Sequence, residues 1–468
     1  MKQENSKISS KDGNSNKSKA LHKEKYLCVP KDSLKNLLYS KTTSILANKM
    51  LGDIASFLLK GYSTQEVFSK NVILEHTRGS IYISNLVNPM KIFWLAFMPE
   101  KILGKRGFQE NKGQIKDLIQ CCAELENLQH FVEQYSLYGI DQASPESSIE
   151  SFLESLLILL THNFHSIPPC VLHLTHPPGY FSDAMSNLYF QMDKENKRGF
   201  LPLLLLPLKK DSFGESQKAS LEKVCELALS THKVGFQMVG RDLLPSHRWA
   251  LGSIGLNLVR SAYKAGPGNL GVFWQEIREN FAFAVRAHLD QRRFISNLLK
   301  NGYLNFFSEN PLQSIYQENN AAFFVEIYGL SESALFLSKE SIIEEEGWEV
   351  AIQTLAYLKE LARVSSEKHG ISIVLGDLDK EEKISHRFLK LDKKHFPSHC
   401  ENFSEYTKGP KISPGLNLSH KEKIQKEGEL HRYIPSSVSL MPDLKTEELV
   451  SLLRYASEES NVYGINIV

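Results

Sequence analysis

Cysteine is scarce: six in 468 residues, at Cys28, Cys121, Cys122, Cys170, Cys225 and Cys400. They are too few and too scattered for a disulfide scaffold. None forms a Cys-x-x-Cys pair, so no metal site is expected. Long apolar runs are missing too. The best, Phe200 to Leu208, holds Pro202 and Pro207 and runs into Lys209 and Lys210. It falls far below the ~18 uninterrupted apolar residues of a membrane helix. Residues 1–25 lack the apolar stretch of a signal peptide. Excess charge of one sign is also absent. Lys+Arg 55 against Asp+Glu 54 leave +1, so the bulk of the chain carries no electrostatic footprint for nucleic acid. A reduced, cytoplasmic protein without a membrane segment is the economical expectation.

What is present is apolar bulk. With 42% hydrophobic residues and near-zero net charge, whole-chain disorder is excluded. Residues 1–25, rich in Lys, Ser and Asn, are expected to be a disordered basic tail, solubilising or serving as a contact arm. From Tyr26 to Val468 helix and strand signals alternate without a low-complexity linker or a repeat. Ile45 to Gly61 has helical spacing and predicts a stop at Gly61. Ile81 to Ile83 predicts a short strand, Phe152 to Leu160 a helix, and Phe200 to Leu208 a fully buried strand. Val272 to Gly302 predicts a long helix, with Glu276 and Glu279 near Arg278 for ion pairs. A strand at Ala322 to Gly329, a helix at Trp348 to Lys368 and a strand at Ile371 to Leu375 follow. The last strands are expected near Val438 and at Val462 to Val468. Buried strands between long helices predict one large α/β assembly.

Several motifs invite chemistry and fail on context. Gly266-Pro-Gly268-Asn-Leu-Gly271 matches a dinucleotide fingerprint, but it follows a helical stretch, and Pro267 removes a backbone donor. A helix-to-helix turn is expected. His395, His399 and Cys400 cluster, as do His162 with His165 and His173 with His176. Zinc wants four ligands in spaced pairs, so these are expected to be structural or surface groups. Cys121-Cys122 lies in a helical stretch, where one of the two is expected in the core.

The order of motifs in the second half is more telling. Residues 236–262, FQMVGRDLLPSHRWALGSIGLNLVRSA, resemble the central segment of anaerobic (class III) ribonucleoside-triphosphate reductases. In that family a Met-Gly-Cys-Arg loop precedes Leu-Gly-Val-Val-Thr-(Leu/Ile)-Asn-Leu-Pro-Arg. Ile327-Tyr-Gly329-Leu-Ser-Glu332 is similar to its Ile-Gly-(Ile/Leu)-x-Glu turn. Arg387-Phe-Leu-Lys-Leu-Asp392 resembles its Arg-Phe-x-Lys-Leu-Asp strand end, and Tyr406-Thr407 its Tyr-Thr-Asn-Ser. Tyr463-Gly-Ile-Asn466 resembles its Tyr-Phe-Gly-Val-Asn strand. Upstream, His76-Thr-Arg-Gly79-Ser-Ile81 is similar to His-x-x-Gly-Asp-Ile-His. The similarity runs in register from about residue 40 to the end.

The resemblance implies a single large ten-stranded α/β barrel over residues 26–468, of the ribonucleotide reductase and glycyl radical enzyme type. Two five-stranded halves would surround a finger loop with its tip near Gly240, flanked by Met238 and Arg241. It also implies a chemistry whose parts can be checked. The family stores a radical on a glycine in a C-terminal Arg-Val-x-Gly-Tyr loop beside a four-cysteine zinc site, and relays it through a finger-loop thiol. Here the relay position is Gly240, and the polar residue before Leu-Gly is Ala250. The first-half Asn-Cys-Cys strand falls at Phe93-Trp94-Leu95. The substrate strand becomes Val374-Leu-Gly376-Asp377-Leu-Asp379, and a Gly-Gly pair becomes Ser436-Ser437. The chain is expected to lack the radical and zinc domain beyond Val468, and an ATP cone before the barrel. Gly255, Asn257, Arg260, Gly329, Arg387 and Asp392 are expected to be framework. No catalytic residue and no cofactor are expected.

Three functions compete. The first is a catalytically inactive nucleotide-binding or regulatory protein, with a nucleoside triphosphate as ligand or a second copy or reductase-related protein as partner, and no nucleic acid on the barrel. The second is a subunit of a split reductase whose radical domain lies on another chain; Gly240 argues against it. The third is an unrelated enzyme using Asp377, Asp379 or His386 as acid–base groups.

Overall fold

The computed structural model describes residues 57–97, 132–138, 170–174, 203–240, 249–301, 321–376, 383–400 and 403–468, with single positions at 54, 189, 190 and 194. The chain divides into two compact units, Met1–Glu66 with Leu86–Asn88, and Val67–Asn85 with Pro89–Val468. In the small unit, residues 57–62 are helical and lead into a π-helical turn, Ser63–Val67. Gly61 therefore does not stop this helix, contrary to the sequence expectation. Ser63 Oγ donates to the Leu59 carbonyl at 2.7 Å and Thr64 Oγ1 to the Gly61 carbonyl at 2.8 Å. These hydroxyls satisfy carbonyls that a glycine cap would otherwise serve.

The large unit is built on strands β1 (Ile81–Ile83), β2 (Ile92–Phe97), β3 (Val132–Tyr138), β4 (Cys170–His173), β5 (Leu203–Leu208), β6 (Val234–Met238), β7 (Trp249–Asn257), β8 (Ala321–Tyr328), β9 (Ser372–Leu375), β10 (Ser437–Leu440) and β11 (Gly464–Ile467). Their hydrogen-bonded order is β10-β11-β6-β5-β4-β3-β2-β7-β8-β9, with β1 antiparallel on β7. Pairing is parallel from β2 through β6. It is parallel again through β7, β8 and β9, and between β10 and β11. The seams β2/β7 and β6/β11 are antiparallel. Among the described residues, then, β2–β6 run one way and β7–β11 the other. This is the five-plus-five arrangement that the resemblance implied.

Helices fill the connections: α1 (Lys70–Arg78), α2 (Glu215–Thr231), α3 (Leu258–Ala265), α4 (Leu270–Lys300), α5 (Leu330–Ser338), α6 (Glu345–His369), α7 (Lys383–His395), α8 (His420–Leu430) and α9 (Thr446–Glu459). β7 is buried at every residue, as expected of a strand covered on both faces. β5 is not. Leu204, Leu206 and Leu208 are buried, whereas Leu203, Leu205 and Pro207 are only half-covered. An unbroken leucine run cannot tell one covered face from two, so the expectation of full burial fails.

Two further expectations are corrected. Arg387 to Asp392 lies within helix α7, not at a strand end. Ile384, Phe388, Leu389 and Asp392 are buried there, and they repeat at the helical period. Glu276 pairs with Lys264 at 2.8 Å, and Glu279 accepts from Gln275 at 3.0 Å. Residues one or two apart on a helix do not face each other, so Arg278 joins neither. The glycine-rich Gly266-to-Gly271 stretch is indeed a turn between α3 and α4. It is tied by Gly268 N–H to the Leu337 carbonyl at 2.9 Å, and no strand feeds it.

Candidate functional site

The connection from β6 to β7 joins the two halves of the barrel, and Gly240, where the resemblance sets the relay, falls on it. Met238 is buried at the end of β6, while Val239 and Gly240 are exposed. Gly240 has φ +83°, and a Cβ placed there would meet no described atom within 4 Å. Arg241 and the rest of the loop lie outside the described residues.

The other two substituted positions come together. Ala250 faces Trp94 across the β2/β7 seam and Ala322 across β7/β8, and Phe324 faces Val374 across β8/β9. Phe93, Trp94, Ala250, Ala322 and Phe324 form one buried cluster, with Ala96 and Val374 packed against it. The Phe93 and Phe324 ring centroids are 6.4 Å apart. Gly376, at the end of β9, lies so close that a Cβ there would come within 2.7 Å of the Phe324 ring. The side chains of this cluster carry no thiol, carboxyl or amide. Such a surface can pack. Its one polar side-chain atom is the indole nitrogen of Trp94.

The motif residues that remain polar form a second, very different centre. Asn257 caps α3: its Oδ1 accepts the Arg260 N–H at 3.0 Å. Its Nδ2 donates to the Gly79 carbonyl at 3.0 Å and to Asp392 Oδ2 at 2.9 Å. Arg260 Nη1 donates to Asp392 Oδ1 at 2.6 Å, and the Tyr406 hydroxyl donates to Asp392 Oδ2 at 3.0 Å. Ser385 Oγ takes the Tyr406 N–H and donates to its carbonyl, both at 2.7 Å. Burial pushes the Asp392 carboxyl up, while Asn257, Arg260 and Tyr406 pull it back. Around the network pack Val259, Tyr263, Tyr328, Ile384, Phe388, Leu389 and Cys400.

The turn motif joins the same region. Gly329, at φ +83°, ends β8 and opens α5; a Cβ there would collide with Val259 Cγ2. Its N–H donates to the Thr407 carbonyl at 2.6 Å, and Thr407 donates through N–H and Oγ1 to Glu332 Oε1 at 2.9 and 2.7 Å. Burial raises the Glu332 carboxyl, against those Thr407 donors. Gly255 sits between Tyr328, Ile384 and Tyr82.

The remaining candidates scatter. His395 and His399 are exposed and Cys400 is buried, its Sγ 3.7 Å from the Tyr406 hydroxyl. Among the described residues no three His, Cys, Asp or Glu side chains are placed to hold a metal ion. His386 is exposed on α7, and Asp377 and Asp379 lie outside the described residues, as do Cys121, Cys122, His162, His165 and His176. His173 is buried on β4 with Nδ1 3.3 Å from Gln237 Oε1. Sequence reasoning missed His288, fully buried on α4 with Nε2 2.9 Å from the Phe324 carbonyl. A lone histidine in a long helix gives no signal for that.

Residues 181–459 match the family model of the anaerobic ribonucleoside-triphosphate reductase. That is more than half of the chain. The chain belongs to this family. Among solved structures it is similar to the anaerobic ribonucleotide reductase of Thermotoga maritima in complex with dATP and CTP, at 14% identity and a TM-score of 0.70, over 98% of this chain and 92% of that one. A second structure of the Thermotoga maritima enzyme, with MES in the active site, gives 14% identity and 0.71 over 99% and 92%. Hydroxyproline dehydratase from Clostridioides difficile is more distant, at 7% and 0.54 over 87% and 77%. No curated protein matches the chain. The fold is therefore the α/β barrel of anaerobic ribonucleotide reductases. Among the described residues no helix is long and apolar enough to cross a membrane.

Proposed function

We propose that this family member binds a nucleoside triphosphate without reducing it, and acts as a regulatory or partner protein. One observation carries the reading: Ala250, Val374, Phe93 and Trp94 pack into a single apolar cluster at the positions that the resemblance assigns to thiol and substrate-binding groups. Abstraction of a ribose hydrogen needs a relay group beside the sugar, and Gly240 has no side chain to supply one. Nucleotide as ligand is supported by the shared fold, since the Thermotoga maritima structures carry dATP in a specificity site and CTP.

Thermal melts of the full chain across ATP, dATP, CTP and the other triphosphates test the binding half. A ligand at a hundredfold its Kd adds about 2.7 kcal/mol to the native state. A melting temperature indifferent to every triphosphate refutes it. Anaerobic incubation with an activating system and reductant tests the other half, with no deoxynucleotide expected. Gly240→Cys is expected to gain a thiol that reacts rapidly with a thiol reagent, and still no reduction. Turnover by either protein overturns the proposal.

A further inference from the structure

Helix α7 exposes a face of one charge. Lys383, His386, Arg387, Lys390, Lys393 and Lys394 follow one another at helical spacing, so they lie along one side. The lysines and His386 are exposed, and Arg387 is half-buried. The opposite side, with Ile384, Ser385, Phe388, Leu389 and Asp392, is buried. The stripe runs for about 16 Å along the helix axis. The acid of this helix, Asp392, is turned inward to Arg260. Among the described residues, Lys390, Lys393 and Lys394 pair with no carboxylate. Lys393 Nζ donates to the Phe403 carbonyl at 3.2 Å, a neutral acceptor that leaves its charge in place.

A solvated helix face ordinarily mixes its signs, as α6 does where Arg363 pairs with Glu360 and Glu367, both at 2.6 Å. The helix dipole accounts for the cations of the last turn, Lys393 and Lys394. It disfavours a cation in the first turn, where Lys383 stands. Like charges three and four residues apart also repel along the stripe. A ligand of opposite sign relieves both.

We propose that the exposed face of α7 binds an acidic segment of a partner protein. The stripe itself narrows the choice of polyanion. Its four lysines and Arg387 carry five positive charges in a chain whose net charge is +1, so the rest of the chain is net negative. A short acidic segment matches the stripe and ends with it, whereas a long nucleic acid runs on into repulsion. The stripe carries no Phe, Tyr or Trp for bases to stack on. A bilayer fits less well, since among the described residues no large apolar side chain is exposed between Val364 and Met441 to enter it. This face shares no residue with the apolar cluster, so its test is separate from that of nucleotide binding.

Fluorescence anisotropy of a labelled glutamate peptide of about ten residues, titrated with the full chain in about 50 mM salt, tests the site. Saturable binding is expected, weakening as salt rises toward about 500 mM. Lys390→Gln, Lys393→Gln and Lys394→Gln together alter only exposed side chains. They are expected to weaken the peptide about tenfold, in a protein that melts as the wild type does. Lys218→Gln, Lys300→Gln and Lys368→Gln remove the same charge from exposed positions on α2, α4 and α6. That control is expected to change binding by less than about twofold. An oligothymidylate of equal charge is expected to bind more weakly than the peptide. Tighter binding of the oligonucleotide through the same lysines overturns the assignment in favour of nucleic acid. Absence of peptide binding by the wild type overturns the proposal, and so does equal loss in the two triple variants.

Discussion

Replacing Asp392 by Ala tests whether the Asn257–Arg260–Asp392–Tyr406 network holds the barrel together. The carboxylate accepts from three side chains, two at the start of α3 and one at Tyr406, and Arg260 is only 4% exposed. Its removal strands a buried guanidinium and two neutral donors. Breaking a buried ion pair from one side costs about 3–5 kcal/mol, because the remaining charge is uncompensated. The unfolding entropy of about 2.1 cal/mol/K per residue amounts to about 1 kcal/mol/K for this length, so the melting temperature should fall by about 3–5 °C. Arg260→Met alone should cost less, since the Asp392 carboxyl can take up a proton once its partner is gone. The double variant should then fall short of the summed losses by about 2 kcal/mol, the coupling of residues in one network. Thermal melts by circular dichroism, read as a complete cycle, decide the matter. A drop below about 1 °C for Asp392→Ala, or strict additivity, would refute the idea that these motif residues are framework.

Gly329→Ala should be costly, combining left-handed strain of about 1–2 kcal/mol with overpacking against Val259 of about 1–3 kcal/mol; a melt unchanged from wild type contradicts it. Burial holds the His288 imidazole down at about 4, from an ordinary 6.5. The unfolded chain then binds the proton more readily, so stability is full above pH 6.5 and lost as pH falls toward 4. The loss between pH 7 and pH 5 is about 2 kcal/mol, and His288→Phe should flatten that slope. Cys225 and Cys400 are fully buried, and burial pushes the Cys225 thiol up, so neither should react with a thiol reagent until the chain unfolds. Mass spectrometry of the labelled native protein checks both.

The fold was largely legible because strand runs and turn glycines are local signals. Gly79 before β1 and Gly329 after β8 stand where the sequence places them, and alternation of strands with long helices foretold an α/β assembly, whereas the two halves came from the resemblance alone. Sidedness was not legible. β5 looks identical on both faces in sequence, yet only one is covered. Nor was the state of Arg387 to Asp392. Its apolar spacing fits a helix, but resemblance to a strand end outweighed the period. The network itself spans 135 residues from Asn257 to Asp392, and no local pattern announces a partner at that distance.

The polar and apolar positions differ in what their loss would cost, and that difference bears on function. Asn257, Arg260, Asp392 and Tyr406 satisfy one another, so each substitution would leave buried donors or a buried charge without a partner. A relay thiol or a substrate-binding amide is of the opposite kind. Without substrate it faces a cavity, contributes little to packing, and can be exchanged for a small apolar side chain at no structural cost. Ala250 and Val374 are such side chains, and the rings of Trp94 and Phe324 pack with them in one cluster. A barrel under selection for its shape but not for ribose chemistry is expected to keep the first group and fill the second. Across β2, β7, β8 and β9 the second group is filled by Trp94, Ala250, Phe324 and Val374, as the proposed loss of ribose chemistry requires. Opening this cluster by Phe324→Ala should therefore lower stability by about 3–5 kcal/mol without creating turnover. A loss under about 1 kcal/mol would mean that the cluster is a loosely packed cleft still shaped for a ligand.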